Sequence, residues 1–244
     1  MGTVIVITSG KGGTGKTTCV AAIAQCLALL GKRTLAVDCD IGLRNLDLSL
    51  GLADRALFDL ADVIFERTPI EDAVIAHDGI ENLYFLPAPA ERADIDPEKF
   101  RELMKSLAES YDFVLIDSPA GLGSGFTLAA HAADLAIVVA TGDAASLRDG
   151  QKTVTELQKL GVTEVRLIVN RVKPRELRRL KSTLDDVIDT VGARLLGVIS
   201  EDESIPRAAN RQTPLMLYGA RYAYEEFYRV ARRLTGERVL LVKL

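Results

Sequence analysis

Ser9-Gly10-Lys11-Gly12-Gly13-Thr14-Gly15-Lys16-Thr17-Thr18 follows an apolar run, Val4-Ile5-Val6-Ile7, and leads straight into a helical pattern. Gly10, Gly15, Lys16 and Thr17 fill the spacing G-x-x-x-x-G-K-S/T of a phosphate-binding loop. Glycines let successive backbone N–H groups curl round an anion with no Cβ in the way. The helix that follows turns its positive end toward the same anion. Lys16 is long enough to reach β- and γ-phosphates, and the Thr17 hydroxyl is a ligand for Mg²⁺. Residues Gly10, Lys11, Gly12, Gly13, Thr14, Gly15, Lys16, Thr17 and Thr18 are therefore the candidate cradle for a nucleotide's phosphates. A dinucleotide-type glycine turn fits less well, because it gives Lys-Thr-Thr no task.

Outward from this loop, apolar β-branched runs alternate with helical patterns. Strands are predicted over 4–7, 34–37, 82–86, 113–116, 136–140, 165–169 and 195–199. Helices are predicted over 17–30, 57–65, 69–76, 97–109, 145–160, 175–191 and 221–234. Gly31 stops the first helix, and Pro69 opens another at its first position. The stretches 38–50 and 87–96 read as loops. Strands apolar on both faces, separated by helices, predict a doubly wound α/β fold with a mostly parallel sheet covered on both sides. Its ligands sit at the carboxyl ends of the strands. With 244 residues and no linker or composition break, the chain reads as one domain over 1–236 and a short tail, 237–244.

Composition narrows the classes. No apolar run approaches the ~18 residues of a membrane-spanning helix. A net charge of −4 disfavours bulk binding to nucleic acid, which depends on neutralising phosphates, so DNA is not an expected partner. Cys19, Cys26 and Cys39 have no C-x-x-C spacing, which argues against a metal or cluster site. Cys19 and Cys26, on one face of a predicted helix, read as buried reduced thiols in a cytoplasmic protein. The N-terminus enters a strand at once, so no secretory leader is expected. His77 and His131 show no catalytic partner and are expected to be structural or superficial.

Three further loops carry chemistry. Ala36-Val37-Asp38-Cys39-Asp40 leaves the second strand with two carboxylates on one side, facing the phosphate loop if the strands are neighbours. One can organise Mg²⁺ through water and the other can orient the attacking water; a solvated turn with helix-capping aspartates is the plainer reading. Phe113-Val114-Leu115-Ile116-Asp117 is an apolar strand ending in a carboxylate, the Walker B layout, with Asp117 supporting the metal. The Gly-rich run 121–125 after it suits a γ-phosphate switch. Leu167-Ile168-Val169-Asn170-Arg171-Val172 is a strand ending in an amide that can pair with the N6/N7 edge of adenine, or simply close a strand.

The loop K-G-G-x-G-K-T-T, Lys11 to Thr18, resembles the deviant Walker motif of the ATPase family that includes MinD, ParA, the nitrogenase iron protein and the arsenite-pump ATPase. The resemblance runs from Met1 to about Gly236. It implies that Lys11 crosses a homodimer interface and contacts the partner's nucleotide. D-x-D-x-G-L-R-N-L-D, from Asp38 to Asp47, is similar to the second signature of the MinD branch. That match implies that Asp40 positions the water, Asp38 supports Mg²⁺, and Asn45 belongs to a nucleotide-sensing loop. Asp117-Ser118-Pro119-Ala120-Gly121 matches the same branch, with Gly123 where many relatives carry Glu. Asn170-Arg171-Val172 resembles its adenine loop. Gly197-Val198-Ile199-Ser200-Glu201-Asp202 resembles its base-flanking loop, with Ser200 in place of Pro.

The resemblance thus implies Lys11, Lys16 and Asp40 as catalytic residues, and Thr17, Asp38 and Asp117 as the metal set. It implies ATP and Mg²⁺ as cofactors, dimerisation on ATP binding, and a nucleotide switch that places the division septum. It also implies protein partners such as a division inhibitor or topology factor, and a peripheral position on the inner face of the cell membrane. The tail from Arg232 to Leu244 suits either a weak membrane anchor or a strand. The basic helix start with Lys173, Arg175, Arg178, Arg179 and Lys181 suits a solvated face or an acidic partner. A ParA-like DNA-segregation ATPase, a flagellar-number regulator and a small-molecule P-loop kinase or synthetase remain open readings.

Overall fold

The computed structural model describes residues 1–40, 45–91, 93–173, 184–219 and 221–240. The strands are β1 (Thr3–Thr8), β2 (Thr34–Asp38), β3 (Ile75–Ala76), β4 (Leu83–Leu86), β5 (Phe113–Asp117), β6 (Leu135–Thr141), β7 (Val165–Val172) and β8 (Arg194–Ser200). They form one sheet in the order β3-β4-β2-β5-β1-β6-β7-β8. Every pairing is parallel except the short one between β3 and β4. The expected doubly wound sheet is therefore present. Alternation on β1 shows how both faces are filled: Val4 and Val6 enter one core, Ile5 and Ile7 the other.

The helices are α1 (Lys16–Leu29), α2 (Leu46–Leu50), α3 (Leu60–Ile64), α4 (Ile70–Ala73), α5 (Pro97–Ser110), α6 (Ser124–His131), α7 (Ala144–Lys159), α8 (Leu184–Val191), α9 (Ser204–Asn210), α10 (Leu215–Tyr218) and α11 (Arg221–Leu234). On one face, α1 is buried nearly all round because its outer side is small: Cys19, Ala21, Ala22, Ala24 and Ala28. It lies between the sheet and the Ala223, Phe227, Val230 and Ala231 stripe of α11. On the other face, Phe100 and Met104 of α5, Phe126 and Leu128 of α6, and Val154 and Leu157 of α7 close the core.

The structure departs from the predicted elements where the signal is short. α2 lies inside the predicted loop 38–50; five residues are too few for a period. The predicted helix 57–65 begins only at Leu60, because Asp59 and Asp62 form a capping box there. The stretch 69–76 divides into α4 and the antiparallel strand β3, with Pro69 as the cap rather than the first helical residue. Short helices α6, α9 and α10 were not predicted. Of the helix expected over 175–191, Leu184–Val191 is observed; the remainder, with Arg175, Arg178, Arg179 and Lys181, lies outside the described residues.

Cys19, Cys26 and Cys39 are free and buried, as expected. Burial pushes the Cys19 thiol up to about 12. His77 Nε2 meets the Leu50 carbonyl at 3.0 Å, and His131 Nε2 meets Glu98 at 2.7 Å, so both are structural. No helix among the described residues is long and apolar enough to cross a membrane.

Candidate nucleotide site

β1 ends at Thr8, residues 9–15 turn back over its carboxyl end, and α1 starts at Lys16. The turn needs glycine for two reasons. Gly13 and Gly15 have left-handed φ of 80° and 93°. A Cβ on Gly15 would also stand 2.4 Å from Asn170 Nδ2, and one on Gly10 would stand 2.6 Å from the Asp149 carbonyl. Gly12 faces open space. The loop is braced from within, since Ser9 Oγ donates to the Lys11 carbonyl at 2.8 Å. It is braced from outside as well: Asn170 Nδ2 donates to the Thr14 carbonyl at 2.8 Å, and the Gly121 N–H to the Ser9 carbonyl at 3.2 Å.

Charge gathers on the β2/β5 side. Asp38 and Asp117 are register partners on adjacent strands, so two carboxylates leave the sheet side by side. Both are almost fully buried, as is Lys16. Burial first, and then the neighbouring Asp38 carboxylate, holds Asp117 above the ordinary carboxylate range. Burial raises Asp38 too, against hydrogen bonds from the Asp40 and Leu46 N–H groups. The Thr17 hydroxyl hydrogen-bonds Asp117, and Lys16 acts on it electrostatically. Asp117 Oδ1 is buried with no partner among the described residues. Such an orphaned anionic oxygen is costly without a cation. The donor set of Thr17, Asp38 and Asp117, all hard oxygen, therefore fits Mg²⁺. Asp40 is half-buried and raised by desolvation, with Lys16 pulling it back. Lys16 acts electrostatically on both Asp40 and Asp117, although β1 and β2 are not the neighbours that the sequence reading supposed, because β5 lies between them.

Lys11 lies elsewhere. Its Nζ pairs with Asp143 Oδ1 at 3.2 Å, at a surface where both side chains are open to solvent. Asp143 is also the N-cap of α7, accepting from the Ser146 N–H at 3.0 Å. Thr141 Oγ1 donates to it at 2.5 Å. The Asp143 and Asp149 contacts were missed from sequence, although an Asp three residues before Ser146 is a cap signal.

Asn170 reaches the loop rather than standing free. Arg171, beside it, holds a left-handed φ of 56° inside β7, a strained backbone of the sort that clusters at functional sites. Asn45 is exposed at the N-terminus of α2; residues 41–44, expected to complete that loop, lie outside the described residues. Thr18 is half-buried on the first turn of α1. Gly123 opens α6, with space where a side chain would project. Ser200 uses the N–H that a proline would lack: it donates to Glu226 Oε2 at 2.6 Å, and its Oγ to Oε1 at 2.8 Å. A cavity of about 320 Å³ near Met1, Lys32, Arg33 and Asp112 lies at the amino ends of the strands, away from this loop.

Residues 5–215 match the model of the CobQ/CobB/MinD/ParA nucleotide binding domain. The septum site-determining protein MinD of Bacillus subtilis is 36% identical over 246 residues, covering 99% of this chain and 92% of that protein. The chain belongs to the MinD/ParA family of nucleotide-binding ATPases. Two MinD-type structures share its fold closely. The MinD chain of the Aquifex aeolicus MinC:MinD complex superposes with a TM-score of 0.91 at 38% identity, covering 99% of this chain and 98% of that one. MinD of Pyrococcus horikoshii complexed with Mg-ADP gives 0.82 at 33%, covering 96% of each chain. Within the MinD/ParA family this chain is thus a MinD-type cell-division ATPase, in keeping with its deviant loop.

Proposed function

We propose that this MinD-type ATPase is a switch that dimerises face to face on Mg-ATP and resets by hydrolysis, positioning the division septum. The observation that carries the reading is the phosphate loop itself. Its left-handed Gly15 delivers Lys16 into a buried site, opposite two register-paired carboxylates of which one oxygen is unpartnered. Backbone N–H groups of Gly10 to Thr18 take the phosphates, and Lys16 neutralises them. Thr17, Asp38 and Asp117 hold Mg²⁺, which when bound screens the charge developing on the γ-phosphate. Asp40 orients the attacking water, and Asn170 and Arg171 border the base. Asn45 belongs to the loop that senses the nucleotide. Lys11 supplies a cation to the partner protomer's nucleotide, as an arginine finger does.

The relatives supply two further parts. The Aquifex aeolicus structure is of a MinC:MinD cell division protein complex, and a protein partner, a division inhibitor or topology factor, is proposed here. A peripheral place on the inner membrane face is proposed for the chain, with 1–236 as the ATPase domain and 237–244 as the contacting tail. Arg233 holds the described part of that tail, donating to the Val239 carbonyl at 3.1 Å, to the Leu240 carbonyl, and to the Leu196 carbonyl of β8 at 2.8 Å.

Calorimetry with Mg-ATP tests the site: binding heat is expected for the parent and none for Lys16→Ala. A parent that gives no heat overturns the reading. Pelleting with anionic liposomes under ATP and ADP, for the full chain and one lacking 239–244, tests the tail.

A further inference from the structure

We propose that Glu226 is a positioning residue of the base site: it grips Ser200 from the free edge of the sheet and so fixes the loop 200–203 beside Asn170 and Arg171. The inference rests on the base reading given to those two residues above. Three observations carry it. The first is the loop's place. Ser200 of β8 stands opposite Val172 of β7, two residues past Asn170, and the Glu201 N–H donates to the Val172 carbonyl at 2.9 Å. The loop leads into α9, whose Ile205 and Ala208 line one small cavity with Thr18 and Ala21 of α1. It therefore runs from the strand end that carries Asn170 to the helix that starts at Lys16.

The second is the edge. β8 is the last strand of the sheet. Glu201 points its N–H at β7, so Ser200 points its own the other way, off the edge. A proline suits such a place, having a fixed φ and no N–H to satisfy. Serine has a freer backbone and an N–H that is costly to leave alone in a buried residue. The third is the grip. One carboxylate takes Ser200 twice, the N–H on Oε2 at 2.6 Å and Oγ on Oε1 at 2.8 Å. It is mounted on α11, which Phe227 and Val230 anchor in the core. Asp202 ties the other end of the loop to the same helix, accepting from the Ala223 N–H at 3.3 Å, and from the Ser204 N–H and Oγ at 2.8 and 2.6 Å. Arg229, one turn on, pairs with Glu225 at 3.3 Å. Glu226 thus does for Ser200 what a ring would do for a proline.

The test is titration calorimetry of the full chain with Mg-ADP and with Mg-pyrophosphate, which lacks the nucleoside. The ratio of the two affinities reads the nucleoside contacts. Glu226→Ala is expected to lower Mg-ADP affinity about three- to tenfold, the worth of one hydrogen bond, and to leave pyrophosphate within about twofold. Glu226→Gln, which keeps an acceptor and a donor, should hold the parent ratio. Ser200→Gly loosens the loop without touching α11, and its ratio should fall in the same sense. Adding Ser200→Pro to Glu226→Ala should restore the ratio, because the ring replaces the grip. A parent-like ratio for Glu226→Ala or Ser200→Gly, equal losses for both ligands, or a double variant no better than Glu226→Ala overturns the proposal. A parent that binds pyrophosphate as tightly as Mg-ADP overturns the base reading itself, and the proposal falls with it.

Discussion

The phosphate loop divides two unlike flanks. On the β2/β5 side Lys16, Asp38 and Asp117 are buried, and the strands that carry them are buried on both faces. On the β6/β7 side Lys11 and Asp143 meet in the open, and their pair is made of side chains that water reaches. Four residues separate the two lysines, yet one lives where a charge costs much to strand and the other where it costs little. Chemistry that must not leak suits the first flank. A contact that must be made and unmade suits the second.

The comparison can be broken at several points. Lys16→Ala should have the largest effect, lowering Mg-ATP affinity about 100-fold or more, equivalent to about 3 kcal/mol of lost charge-assisted hydrogen bonding. Lys11→Ala should leave monomer affinity within about threefold, because it lies off the buried flank. Calorimetry on both variants measures this, and equal losses would erase the distinction between flanks.

The buried carboxylates predict a pH dependence in nucleotide-free protein kept in EDTA. The folded Asp38 and Asp117 carboxyls lie near 6 and 7, above the 3.8 they have when unfolded. Their folded forms favour the proton, so stability is greatest below that unfolded value and falls as pH rises through 6 and 7. Thermal melting from pH 5 to 8 should show a decreasing Tm, and Asp117→Asn should flatten it. A Tm that rises over this range would contradict the burial described for the pair.

Gly15→Ala should cost about 1–2 kcal/mol for the left-handed backbone alone. The clash with Asn170 adds to this, whereas Gly12→Ala should stay within about 0.5 kcal/mol. Urea denaturation of both sharpens the case that the loop is shaped by contact as well as by conformation. Asn170→Ala removes the bond to the Thr14 carbonyl and should cost about 1 kcal/mol. Smallest of all, Lys11→Ala should change stability by less than about 1 kcal/mol, and by less still in high salt. A larger loss in the same denaturation series would place Lys11 in the stabilising frame rather than on the switchable flank.

What the sequence made legible follows a physical divide. The loop, the apolar strands and the carboxylates at their ends are local patterns, so Lys16, Asp38 and Asp117 stand out from sequence alone. Register could not be read. That Asp38 faces Asp117, and that β3 pairs antiparallel with β4, depends on strands brought together from distant parts of the chain. Short helices such as α2 and α10 offer too little period to detect. Asn170 meets Thr14 across 156 residues, and Lys11 meets Asp143 across 132. Asp143 left only its capping signal, which marks the start of a helix and gives no hint of a lysine partner.

The place of β1 in the sheet has one more consequence. Four strands lie on one side of it and three on the other. Its backbone is clamped to β5 and β6 along nearly its whole length. The nucleotide loop therefore hangs from a keystone, not from a hinge. Load applied there spreads to both halves of the arch, while the stone itself stays put. The masonry around it is tied more lightly: residues 118–123, between β5 and α6, meet it through the Ser118 N–H to the Ile7 carbonyl and the Gly121 N–H to the Ser9 carbonyl.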